Sequence, residues 1–159
     1  MNLADPVAEA RLRGVVAEPT LLRCGLVLFL LGLSTGFLMP LFANARMGLA
    51  SHLEGVMNGM LLMLLAVLWP SFAFGPRLAR WGRRLAIYGT FANWLATFVA
   101  ACWGAGAMMP IAGQGRTGAA WQEQVVAVLL LSLSVVMVAL VGLCLWAVSR
   151  GRRRGRVLG

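Results

Sequence analysis

The chain has 159 residues, 60% of them hydrophobic and 12% charged, with a formal net charge of +9. A soluble domain is about half apolar and a quarter charged, so this composition excludes an ordinary water-soluble globule and points to a membrane protein. Taken as a total, the charge suggests a nucleic-acid partner, but the positions of the arginines argue against one.

The opening stretch MNLADPVAEARLRGVVAEPT carries three acids and two arginines ahead of the first apolar run. It lacks a charged start leading directly into a short apolar core and a small-residue cleavage site, so it is not expected to be a cleaved signal peptide. Residues 1–20 are expected to form a cytoplasmic segment with a short helix on the membrane surface, separated by Pro19 from the first apolar run. Four runs are long and apolar enough to cross a hydrocarbon core, which takes roughly 20 helical residues. They lie at about Leu22–Phe42, Leu53–Phe74, Leu85–Met109 and Val125–Val148. The pieces between them are too short to fold alone. The expected architecture is therefore one all-α integral membrane four-helix bundle over residues 21–149, closed by an arginine-rich cytoplasmic tail at 150–159.

All fourteen basic residues are arginine, and twelve of them precede the first run, lie between the second and third, or follow the fourth. Only Arg46 and Arg116 lie in the other two loops. This is the positive-inside pattern of a four-span protein with both termini in the cytoplasm, and it accounts for the charge without a nucleic acid. The expected location is a bacterial-type inner (plasma) membrane. Cys24, Cys102 and Cys144 fall in or beside apolar runs without CxxC or CxxCH spacing, and read as small core residues.

Small residues indicate packing, because close backbone approach drives helix contact in lipid. Gly32 and Gly36 mark the first span, Gly55 and Gly59 the second, and Ala92, Ala96, Ala100 and Gly104 the third. Four short helices make a thin bundle, so some of these stripes are expected to face another subunit.

Polar side chains are costly inside a bilayer and usually face a bundle interior or a functional cavity. The candidates are His52 and Glu54 at the outer end of the second span, Asn58 a turn and a half deeper, and Tyr88, Thr90, Asn93 and Thr97 on the third. A lone histidine at a helix end is more often an interfacial residue than a ligand. Here it has company. The second and third spans run antiparallel, so His52 and Asn58 are expected to meet Asn93, Thr97 and Trp103 in a polar pocket walled by aromatics and methionines. No serine, histidine and acid stand ready for a hydrolytic triad, and one histidine cannot supply the three protein ligands of a zinc site. A haem iron needs only one axial imidazole.

Two strings carry a resemblance. SHLEGVMNGML, with His52, Gly55, Asn58 and Gly59, and YGTFANWLATFVAACWGAGAMMPIAG on the third span resemble the small membrane isomerases that include hydroxylaminobenzene mutase and styrene oxide isomerase. The likeness runs from about Leu22 to Val148. It implies haem b held between the subunits of a homotrimer, with His52 as axial iron ligand and Gly55 and Gly59 beside the cofactor. It makes Asn58 a substrate-binding amide, with Asn93 and Thr97 as further catalytic residues. The styrene oxide isomerase branch places a tyrosine four residues after the asparagine of the third span, where this chain has Thr97. A threonine hydroxyl is shorter and less acidic than a phenol, and the strings NWLAT and MMPIAG look more like the mutase branch.

Helix geometry bears on the shared haem. At 100° per residue, Asn58 lies about 120° around the helix from His52 and about 9 Å deeper. One helix does not easily place both on opposite faces of a single haem, whereas a ring of protomers does. The implied chemistry is Lewis-acid rearrangement of a small flat aromatic substrate arriving through the lipid, hydroxylaminobenzene giving 2-aminophenol. The alternative is an epoxide rearranging to an aldehyde. Two non-enzymatic readings stay open at this level: an electron-transfer cytochrome with Met57 or Met108 as second axial ligand, and a membrane scaffold whose polar residues only lock helices together.

Overall fold

The computed structural model describes residues 17–72 and 74–157, with side chains described as far as Arg150. The expected N-terminal surface helix lies, up to residue 16, outside the described residues.

Helix α1 (Pro19–Leu38) begins at a built cap: the Glu18 carboxylate accepts from the Leu21 N–H at 2.7 Å, and Pro19 fills the first position, where a missing N–H costs nothing. A 3₁₀ turn at Met39–Leu41 closes it. Asn44 caps α2 (Ala45–Leu68), its Oδ1 accepting from the Met47 N–H at 3.1 Å. A second 3₁₀ turn, Trp69–Phe72, leads to α3 (Pro76–Trp103). This helix stops at Gly104, whose φ of 71° suits a residue without Cβ and whose N–H bonds to the Ala100 carbonyl. The one-turn α4 (Pro110–Gly113) interrupts the next loop, and α5 (Ala120–Val157) ends the described chain.

Four of these helices are long and apolar enough to cross a membrane. The chain is an all-α, multi-pass membrane protein with a four-helix bundle. Its helices outrun the apolar stretches: α2 starts at Ala45 rather than 53 and α3 at Pro76 rather than 85. Caps and prolines, not hydropathy, decide where a helix begins. α3 ends at Trp103 rather than 109 because of Gly104, and α5 continues through the segment expected as a separate tail as far as Val157.

The helices pack in chain order, α1 on α2, α2 on α3 and α3 on α5, while among the described residues the backbones of α1 and α5 do not approach each other closely. The outward faces of these end helices are apolar and open, with Phe37 87% and Val138 75% exposed. In lipid such a face meets a solvent as apolar as itself. The α1–α2 seam is backbone against backbone. A Cβ added at Gly32 would lie 2.6 Å from the Gly55 carbonyl carbon, and one at Gly59 2.6 Å from the Phe29 nitrogen. Ala92, Ala96, Ala100 and Gly104 are likewise buried within the protomer. The stripes expected to face another subunit are thus largely used in internal contacts, because four thin helices need them to close on one another.

Glu18 ties one end together. Its N–H bonds to the Ala66 carbonyl at 2.9 Å, and its carboxylate pairs with Arg83 at 2.6 Å. At the other end Glu123 gathers the α3–α5 loop, accepting from the N–H groups of Gly106, Ala107 and Gly118. Asn44 Nδ2 donates to the carbonyls of Ala112 and Gly113, both at 3.1 Å, and pins α4 over the end of α2.

Candidate active site

His52 and Asn58 both sit on α2 but serve different neighbours. The His52 ring turns toward α1, where Nδ1 lies 2.8 Å from the Gly32 carbonyl oxygen. A carbonyl oxygen only accepts, so Nδ1 carries the hydrogen, which in the neutral ring leaves the lone pair on Nε2; Nε2 has no hydrogen-bond partner among the described residues. Gly36 leaves the room for this ring, since a Cβ there would lie 2.9 Å from Nδ1. The expectation that His52 joins Asn58 against α3 is therefore corrected. The rotation of the helix that separates the two residues gives His52 to α1.

Asn58 does face α3, and it reaches Asn93 through Glu54, counted among the polar candidates but not placed in the expected pocket. Glu54 Oε2 accepts from Asn58 Nδ2 at 3.0 Å and from Asn93 Nδ2 at 2.5 Å. Glu54 is one turn before Asn58, so the two share a face, and the pair meets Asn93 across the α2–α3 seam. An acid within an apolar span was the available signal, because such a charge is expensive and seldom there without a task. Reading Glu54 as a helix-end residue hid it.

Thr97 lies one turn further along α3 and donates to its own helix, at 3.1 Å from the Asn93 carbonyl and 3.0 Å from that of Trp94. Trp94 in turn donates from Nε1 to Thr35 Oγ1 at 3.1 Å, which joins α3 to α1 behind the seam. Trp103 does not enter the polar cluster. It stacks edge to face on Trp121 of α5, with ring centroids 5.0 Å apart.

A cavity of about 420 Å³ opens beside the cluster. Arg46, Leu49, Leu53 and Glu54 of α2, Thr97 of α3 and Met109–Ala112 at α4 line it. Asn58 and Asn93 stand behind Glu54 rather than on the wall. Gly55 and Gly59, expected beside a cofactor, lie against Gly32 and Phe29 of α1. Among the described residues no three of His, Cys, Asp and Glu gather as a metal-ligating group. The arrangement offers one imidazole nitrogen on one side of α2 and a carboxylate held by two amides on the other.

Residues 18–149 match the styrene oxide isomerase family. The chain belongs to that family. It is 53% identical over 147 residues to hydroxylaminobenzene mutase HabB of Ectopseudomonas oleovorans, covering 92% of this chain and 87% of that one. It is 48% identical over 116 residues to hydroxylaminobenzene mutase HabA of the same organism, covering 72% and 86%. No solved structure matches it. Membership of this family, with mutases so similar over most of the chain, makes the protein an isomerase. The readings as electron-transfer cytochrome and as scaffold fall away.

Proposed function

We propose that the protein rearranges hydroxylaminobenzene to 2-aminophenol within a homotrimer that holds haem b between its subunits, in the inner membrane, with both termini in the cytoplasm. In this rearrangement the N–O bond breaks and the hydroxyl oxygen bonds to the ortho ring carbon. The hydrogen on that carbon leaves as a proton and one proton joins the nitrogen, so no oxidant or reductant is consumed.

The observation that carries the choice of substrate is Thr97. Its hydroxyl hydrogen is directed to carbonyls of its own helix, so it is not free to donate to an epoxide oxygen as the phenol of the other branch would. The names of the relatives support the same choice.

The donor set fits a haem. A metal-bound histidine usually donates its other N–H to a carbonyl or carboxylate, which fixes the tautomer, and His52 has this partner in Gly32. Gly55 and Gly59 contribute by letting α1 come close enough for that carbonyl to reach the ring. Bound at His52, a haem iron supplies Lewis acidity toward the departing oxygen. Asn58 and Asn93 hold the polar end of the substrate site in place through Glu54. The walls of Leu49, Leu53 and Met109 exclude water, which would otherwise capture a cationic ring. Since His52 and the Glu54 cluster serve opposite seams of α2, a site containing both is best built from two protomers, which supports an oligomeric ring. Arginines at the start of α1, the start of α3 and the end of α5 support the orientation.

Membranes bearing the protein are expected to convert hydroxylaminobenzene to 2-aminophenol and to leave styrene oxide largely unchanged. Conversion of styrene oxide alone refutes the proposed reaction. The absorption spectrum of the purified protein reads the haem, and reporter fusions at the C-terminus read the orientation.

A further inference from the structure

Both amides of the cluster donate to the same oxygen of Glu54, Oε2. Oε1 has no hydrogen bond or ion pair among the described residues. Every buried side-chain nitrogen and oxygen among them has a partner, so Oε1 is not buried, and Glu54 is on the wall of the cavity. Of the neighbours on that wall, Leu49, Leu53, Met109 and Pro110 are apolar, Thr97 directs its hydrogen into α3, and Arg46 makes no hydrogen bond or ion pair with Glu54 among the described residues. The cavity therefore presents one fixed accepting oxygen beside the apolar side chains of Leu49, Leu53 and Met109, held from behind by Asn58 and Asn93.

We infer that Glu54 Oε1 is the specificity-determining contact of this site, accepting a hydrogen bond from the N–H or O–H of an arylhydroxylamine or arylamine and disfavouring aromatic ligands that have only acceptors. The inference deepens the proposed function and rests on it for the identity of the substrate. The selection is physical. A ligand with a donor pairs with the oxygen and keeps its ring against the leucines. A ligand without one strips the oxygen of water and returns nothing, and leaving a polar group unpaired costs more than a made bond gains. An epoxide and an aldehyde are of this second kind. The cluster thereby complements Thr97: one residue withholds a donor from the substrate oxygen and the other supplies an acceptor for the substrate hydrogen. Asn58 and Asn93 act as positioning residues for that oxygen, because each fixes the carboxylate plane through Oε2.

Aniline and toluene test this, since they have nearly the same shape and differ in an N–H donor. Each is added to the detergent-purified full-length protein, and its affinity is read twice: from the rise in melting temperature, and from competition with hydroxylaminobenzene turnover at equal free concentration. Aniline is expected to bind at least about tenfold more tightly than toluene, the scale of one hydrogen bond to a charged group. In Glu54→Gln the amide oxygen replaces Oε2 as acceptor for Asn58 and Asn93, and an NH₂ faces the cavity. That variant is expected to lose the preference for aniline while its affinity for toluene is unchanged. Equal binding of aniline and toluene by the parent overturns the inference, as does a preference that survives in Glu54→Gln. If Glu54→Gln does not fold, the parent comparison decides by itself. A parent that turns over styrene oxide and not hydroxylaminobenzene refutes the proposed reaction, yet the melting-temperature comparison still reads Oε1. A parent that makes 2-aminophenol but does not distinguish the two ligands refutes Oε1 alone.

Discussion

The two seams of α2 are built on opposite principles. Toward α1 the helix has glycine against glycine, with backbones in contact and a single imidazole admitted where Gly36 makes room. Toward α3 it has a carboxylate and an amide, joined to a second amide across the seam. The first seam gains its energy from close van der Waals approach, which drives helix association in lipid. The second holds a costly polar group by giving it two donors. One helix thus separates a candidate cofactor ligand from a candidate substrate contact, and substitutions on the two faces should fail in different ways.

The largest effect is expected at His52. His52→Ala should remain folded, since the change removes atoms from a space that Gly36 already leaves open, but should lack a haem spectrum and all activity. A normal haem spectrum in that variant breaks the division between the faces. Next comes Asn58→Ala, which should keep the haem and slow turnover, because Glu54 loses one of the two donors that fix its carboxylate, a hydrogen bond to a charged group worth about 1.5–3 kcal/mol. Turnover at the parent rate would make Asn58 a packing residue only.

Gly55→Val sharpens the comparison from the other side. Its Cβ would lie 2.9 Å from the Gly32 nitrogen and 2.9 Å from Trp94 Cδ1, so the seam has to open. Destabilisation of about 1–3 kcal/mol is expected from such overpacking, read as a lower melting temperature in detergent. A lower affinity for haem should accompany it, because the Gly32 carbonyl moves away from His52.

The smallest effect belongs to Glu18, outside the spans. Burial works to raise its carboxyl, but the Leu21 N–H and the pairing with Arg83 outweigh it and hold the group below its ordinary value. A carboxyl lowered by folding stabilises fully above its unfolded pKa and loses that contribution as pH falls through the folded one. The protein should therefore soften in the acidic range below the ordinary carboxylate value. Glu18→Gln should remove that part of the slope at a cost under about 1 kcal/mol at neutral pH, since Arg83 is partly solvated. Neither the haem spectrum nor the aniline preference should respond.

Much of this protein is legible without coordinates, and the misses have a common cause. Pro19, Asn44, Pro76 and Gly104 are punctuation with a fixed physical meaning, yet an apolar count overlooks them and so misplaces the helix ends. His52 and Asn58 are recognisable as a motif, and their angular separation follows from helix geometry alone. Which neighbour each one meets does not follow from it, because that depends on how α2 is rotated between α1 and α3. Glu54 is visible as an acid beside an apolar run, but nothing local distinguishes a solvated helix end from a carboxylate clamped by two amides.

Composition, hydropathy and arginine placement thus determined by themselves that this chain makes four membrane-spanning helices, since the cost of burying polar groups in lipid is paid residue by residue along the chain. The tertiary structure alone decided that Gly32 gives its carbonyl to His52, that Glu54 joins Asn58 to Asn93, and that α4 closes a cavity beside them. Each of these contacts joins residues distant in sequence. Their geometry is set by how closely glycine lets two backbones approach, a property of the pair that neither helix carries alone.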